Sequence, residues 1–144
     1  MKEKVLFILL PFYMPHGGVE RPCPTMPYGV LSIANYIKDI AEVKIFDCNL
    51  HENYGVRLAE TLETFKPDIV GFNMMYDSGF LYLNRLCEIV KYYDGDIPIF
   101  LGGAATPYVY DELIERLPFV SAICYRDGEI PMREFILYKK LDEA

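Results

Sequence analysis

His16 and His51, with Cys23, Cys48, Cys87 and Cys124, are the residues of this 144-residue chain best able to hold a metal ion or attack an electrophile. Their spacing spells out neither chemistry. The cysteines lie far apart with no Cys-x-x-Cys pair, unlike a zinc site or a thioredoxin-type redox couple, so reduced, mostly packed thiols are expected. Cys87 shares a helical stripe with Leu83, Leu86 and Val90, whereas Cys48 and Cys124 close expected strands and could face a ligand edge. The stronger signal carries no reactive side chain. Ile99-Phe100-Leu101 reads as a buried strand, Gly102-Gly103-Ala104-Ala105 follows it almost bare, and Thr106-Pro107 starts a helix. Exposed main chain at the carboxyl end of a strand lets a bulky group approach closely, and open α/β sheets meet their ligands there.

The elements that position this stretch alternate between two periodicities. Val5–Leu10 reads as a fully buried strand and Pro11–Met26, with four prolines and two glycines, as a long loop. Pro27 opens a helix at its first position, with Val30, Ile33, Ala34, Ile37 and Ile40 on one face. Strands at Val43–Asp47, Asp68–Asn73, Ile97–Leu101 and Ser121–Cys124 alternate with helices at Tyr54–Phe65, Gly79–Tyr93 and Thr106–Leu117. In the second helix Leu58, Ala59, Leu62 and Phe65 point inward, and Gly128-Glu129-Ile130-Pro131 begins the last helix. Five apolar strands separated by amphipathic helices imply a parallel sheet covered on both faces with right-handed crossovers. The expected class is α/β, a flavodoxin-like or Rossmann-like three-layer sandwich with strand order 2-1-3-4-5.

Composition narrows the occupants of such a fold. A chain of this length fits one domain, and 52% hydrophobic with 15% aromatic residues supply a core. Fourteen basic against twenty-one acidic residues leave a net charge of −7 with no Lys/Arg cluster, so no nucleic-acid partner is expected. The opening apolar run is too short to cross a membrane and lacks a cleavage site, which reads as a cytoplasmic protein with no membrane partner. A phosphate-accepting receiver would need acidic residues where Leu9, Leu10 and Pro11 stand. A dinucleotide fold would join its first strand and helix by a tight Gly-x-Gly-x-x-Gly turn, but sixteen residues intervene with only Gly17-Gly18 among them. Without that turn, Asp47 reads as a cap or loop anchor rather than a ribose ligand. Pro11-Phe12-Tyr13-Met14 is also a poor phosphate cradle for a flavin.

Lys4-Val5-Leu6-Phe7-Ile8-Leu9-Leu10-Pro11, then Pro27 to Ile37, then Val43-Lys44-Ile45-Phe46-Asp47, resembles the amino-terminal cobalamin-binding domain of cobalamin-dependent radical S-adenosylmethionine enzymes. Lys66-Pro67-Asp68-Ile69-Val70-Gly71-Phe72-Asn73 is similar to that family's third strand. Phe100-Leu101-Gly102-Gly103-Ala104 resembles its double-glycine strand end, and Tyr125-Arg126-Asp127-Gly128-Glu129 its Gly-Glu-Gly-Glu-like turn. The resemblance covers residues 4–138, leaving 139–144 as a polar tail that would begin a linker.

The resemblance implies cobalamin as cofactor, its corrin laid over the strand ends and its nucleotide tail in a groove where Gly102, Gly103, Ala104 and Ala105 leave room. It implies cofactor contacts at Pro11, Tyr13, Pro27, Gly29, Asn73, Met74, Met75, Tyr76, Gly102, Gly103, Ala104, Thr106, Tyr125, Gly128 and Glu129. Asn73, Tyr76, Ser78, Thr106 and Tyr125 are neutral hydrogen-bonding groups suited to an amide-rimmed ligand, and Met74 and Met75 could pack on its ring or in the core. On this reading Gly103→Leu would spare the fold and block the tail.

Two departures qualify what the resemblance implies. Many cobalamin domains carry Asp-x-His-x-x-Gly after the first strand, with the His as lower cobalt ligand; here His16 has Met14 in place of the Asp and Val19 in place of the Gly. His51 follows the second strand instead, so a base-off, His-off cofactor is expected, with His16 a weak candidate for cobalt and no other metal ligand. The Cys-x-x-x-Cys-x-x-Cys that would hold an iron-sulfur cluster is also missing. The cluster and S-adenosylmethionine are therefore expected only in a radical S-adenosylmethionine partner domain, in cis or in trans, and no catalysis from this chain alone. The resemblance implies a methyltransferase parent, with a methyl group carried on cobalt, although some relatives rearrange or close rings. A degenerate domain serving as an interaction platform, and a small flavin or nucleotide carrier, remain as alternatives.

Overall fold

Val5, Leu6, Phe7, Ile8 and Leu9 are all buried, which alternating side chains allow only when both faces of a strand are covered. This strand, β1 (Glu3–Leu9), is the second of five in a parallel sheet whose others are β4 (Ala41–Asp47), β5 (Ile69–Asn73), β6 (Ile99–Gly102) and β7 (Ala122–Ile123). The sheet runs β4-β1-β5-β6-β7, which is 2-1-3-4-5 when its own strands alone are counted. The computed structural model describes residues 1–139, so 140–144 of the expected polar tail lie outside the described residues.

Four helices connect the strands, α1 (Tyr28–Ile37), α2 (Tyr54–Phe65), α3 (Phe80–Tyr93) and α4 (Thr106–Arg116), and α5 (Glu129–Tyr138) follows the last strand. Leu6, Ile8 and Leu10 join the core beneath α2, α3 and α4, with Leu58, Leu62, Leu83, Leu86 and Leu113. Val5, Phe7 and Leu9 face the other way, toward Val30 and Ile37 of α1 and Met132 and Ile136 of α5. The sheet is thus the middle of three layers. Among the described residues no helix is long and apolar enough to cross a membrane.

The numbering reflects the main local correction. Within Pro11–Met26, expected as loop throughout, β2 (Tyr13–His16) pairs antiparallel with β3 (Val19–Pro22). Gly17 (φ +59°) and Gly18 (φ +81°) supply the two positive φ angles of a tight hairpin turn, and an isolated hairpin tolerates Pro15 and Pro22. Smaller shifts follow from capping. Pro27 precedes α1 rather than entering it, and that helix stops at Ile37, although Ile40 still packs on the core. The helix expected over Thr106–Leu117 starts at Thr106 and ends at Arg116, and the expected strand Ser121–Cys124 contracts to two residues.

Candidate functional site: a groove at the carboxyl rim

Parallel pairing places Phe7 of β1, Gly71 of β5 and Phe100 of β6 in one row on the face turned toward α1 and α5. Gly71 leaves a notch in that row, and the Phe7 ring leans across it. A Cβ on Gly71 would stand 2.8 Å from Phe7 Cδ1. Phe100 is braced edge-on by Phe135, ring centroids 4.8 Å apart. Above this floor, Val30, Ile33 and Met132 wall a cleft of about 400 Å³, within the range of small-molecule sites.

The cleft opens at the carboxyl ends of the strands, where the next row is Leu9, Asn73 and Gly102. Asn73 also lines a small hollow of about 30 Å³ on the rim, with Leu10, Pro11, Pro27, Met75 and Tyr76. Asn73 therefore stands where the two spaces meet, and no hydrogen bond from its side-chain amide occurs among the described residues. The hollow's far wall is fastened by Asn49. Its Nδ2 donates to Leu10 O (3.1 Å) and Asp47 Oδ1 (2.9 Å), and its Oδ1 accepts from Phe12 N–H (2.7 Å). Asp47 also accepts from Asn49 N–H (2.9 Å), fixing the Asn49 side chain that joins this loop to the one after β1. Phe12 then stacks on Tyr76 at 3.9 Å.

The residues expected at the site separate into those on the groove or hollow and those behind it. Gly29, Met75, Gly102, Gly103, Ala104, Tyr125, Gly128 and Glu129 line the groove; Pro11, Pro27 and Tyr76 line the hollow. Glu129 accepts a hydrogen bond from the Ser32 hydroxyl (2.7 Å), and Arg133 forks onto Asp39 (2.7 and 2.8 Å). Both contacts tie α1 to α5 across the groove.

Four expectations are corrected. Met74 is wholly buried in the core beneath α2 and α3, because its alternation puts it opposite Asn73. Ala105 is buried on that same side. The Thr106 hydroxyl is also buried, within reach of Gly103 O (2.9 Å) and Cys124 O (3.2 Å), where it joins the loop after β6 to the end of β7. Tyr13 leans on Tyr82 (5.9 Å) at the α3 side, outside the groove, and partial burial raises its hydroxyl pKa.

Gly103 has a different role from the one expected. It holds φ at +114°, and a Cβ there would lie 2.4 Å from Met74 O and 2.7 Å from Asn73 Oδ1. Gly103→Leu would therefore strike the protein's own backbone before any ligand. Gly102 is the permissive neighbour, its nearest contact being Cys124 Cβ at 3.7 Å.

His51 stacks on Phe46 (4.9 Å) outside the groove, and the side chain of His16 lies outside the described residues. Cys48 and Cys87 are buried, and desolvation pushes both thiols up to about 12. Among the described residues no three His, Cys, Asp or Glu side chains converge as a metal site. Sequence reasoning missed the groove floor. The readable signal was Gly71, a glycine interrupting the apolar run Ile69-Val70-Gly71-Phe72, where such residues often mark close approach.

Comparison with known proteins agrees with this geometry. The profile of the B12 binding domain family matches residues 18–136. Over 135 residues the chain is 28% identical to the anaerobic magnesium-protoporphyrin IX monomethyl ester cyclase of Rubrivivax gelatinosus, covering 92% of this chain and 24% of that protein. The cobalamin-dependent S-adenosylmethionine radical enzyme OxsB has the same fold. Its structure with aqua-cobalamin and S-adenosylmethionine superposes with TM-score 0.74 at 19% identity, and that with aqua-cobalamin alone with 0.73 at 20%. Each superposition covers 99% of this chain and 20% of the enzyme, so the chain spans a quarter or less of the proteins it matches.

The residues present fit such a cofactor. The cleft is too small for a corrin macrocycle, yet it is apolar within, and Gly102 leaves the strand end uncrowded where a flat base would need room. The rim above carries Met75, Tyr76 and the Asn73 amide for an apolar ring edged with amides. The chain thus belongs to the B12 binding domain family, with cobalamin as its cofactor, and shares its fold with the cobalamin-dependent S-adenosylmethionine radical enzyme OxsB.

Proposed function

We propose that this chain holds cobalamin base-off and His-off for a radical S-adenosylmethionine partner domain, supplied in cis or in trans. The corrin lies over the carboxyl rim and the nucleotide tail enters the groove. The apolar cleft continuous with that rim carries this reading: it is separated from the α2 side by the sheet and meets the rim at Asn73. When bound, the corrinoid supplies a cobalt centre able to carry and release an alkyl group. The chain's own residues bind and orient it: Gly102 leaves room at the strand end, Val30, Ile33 and Met132 keep water from the tail, and Asn73 offers a neutral amide. His51, turned onto Phe46, supports the His-off assignment.

The reaction served is read as methyl transfer. The cyclase among the relatives supports ring closure as a second reading, and product analysis with the partner domain separates them. The cofactor reading is tested by titrating the purified chain anaerobically with hydroxocobalamin and following visible absorbance and retention on gel filtration. Stoichiometric retention with the spectrum of base-off cofactor is expected; elution free of corrinoid would favour a degenerate domain that keeps the fold as an interaction platform.

A further inference from the structure

We infer that the groove discriminates among corrinoids by the base that ends their tail, accepting an apolar aromatic base and disfavouring a purine. The inference rests on the cobalamin reading above and concerns the inner end of the cleft. The side chains there are Phe7, Val30, Ile33, Phe100 and Met132, with the Phe7 ring lying over Gly71, and none carries a hydrogen-bonding group. Main-chain groups of β5 and β6 are engaged in parallel pairing beneath. The polar side chains of the groove, Asn73 and Glu129 among them, belong to its mouth: Asn73 is two residues nearer the rim than Gly71, and Glu129 begins α5.

A dimethylbenzimidazole ring entering this end would meet aromatic edges and aliphatic walls with its apolar perimeter. A purine of similar breadth would bring an exocyclic amine and further ring nitrogens into the same space. Each would leave water without a side-chain partner, the costly half of a broken hydrogen bond. In the base-off form the base is free of cobalt, so its perimeter meets the walls; the one ring nitrogen released from cobalt is common to both bases, and the purine's amine and further nitrogens make the difference.

The test measures dissociation constants by equilibrium dialysis, read by visible absorbance, for cobalamin, for the corrinoid with adenine as tail base, and for cobinamide, which lacks the tail base. The adenine form is expected to bind at least about tenfold more weakly than cobalamin, equivalent to about 1.4 kcal/mol, and cobinamide weaker by a similar factor. Met132→Gln, nearly isosteric, should narrow the gap between the two bases, while Met132→Leu keeps it. Equal affinity for both bases would overturn the inference, and so would cobinamide binding as tightly as cobalamin, since the tail would then not be held. Retention of none of the three would instead overturn the cofactor reading, and the inference with it.

Discussion

Gly102 and Gly103 look alike in the sequence and behave differently in the fold. Gly103→Ala forces a side chain into a positive-φ site 2.4 Å from Met74 O, and a loss of about 3 kcal/mol or more is expected in urea denaturation. Gly102→Ala meets nothing nearer than 3.7 Å and should change stability by no more than about 1 kcal/mol. Equal effects from the two substitutions would refute this division. Thr106→Val removes the hydroxyl between Gly103 O and Cys124 O without changing the shape of the side chain, and should cost about 1–2 kcal/mol, measured the same way. At the thiols, burial that raises Cys48 and Cys87 to about 12 predicts that a disulfide reagent labels Cys23 rapidly in native protein and these two only after denaturation.

The groove exists because α1 and α5 are held at a fixed separation on one face of the sheet. Arg133 of α5 hydrogen-bonds Asp39 beyond the end of α1 and lowers its carboxyl to about 2, against an ordinary 3.8. A depressed carboxylate stabilises the fold above its unfolded pKa and loses that contribution as pH falls through its folded value. Unfolding measured from pH 5 to 2 should therefore show a decline between about 4 and 2 that Asp39→Asn flattens; an unchanged slope in the variant would exclude the clamp as its source. Exposure limits the size of the effect, since solvent and salt screen such a pair. On α1 itself Gly29 borders the groove, and a Cβ there would meet no atom within 4 Å. Gly29→Phe is expected to leave melting temperature unchanged or raised, as glycine is a poor helix former, while weakening cobalamin retention at least about tenfold. Undiminished retention would place the tail elsewhere.

Across the whole molecule, the order of elements was legible because hydrophobic periodicity reports burial directly. Val5–Leu9 could only be a strand covered on both sides, and the stripe Leu83, Leu86, Cys87, Val90 could only be a buried helix face. The strand order followed from the rules of parallel crossovers, and the bare residues after β6 pointed to the carboxyl rim, where the groove opens. What stayed hidden depended on which side of the sheet a residue faced. Met74 and Asn73 are neighbours in the chain, yet one is sealed in the core and the other stands at the mouth of the groove. Tyr13 reads as a rim residue until the hairpin made by Gly17 and Gly18 carries it toward Tyr82. By itself the sequence determined an α/β sheet with a bare glycine pair at the end of its fourth strand, since local pattern and backbone freedom are properties of short segments. Only the tertiary structure decided that Phe7, Gly71 and Phe100 form one floor beneath α1 and α5, because register joins residues more than ninety positions apart through main-chain pairing that no local pattern records.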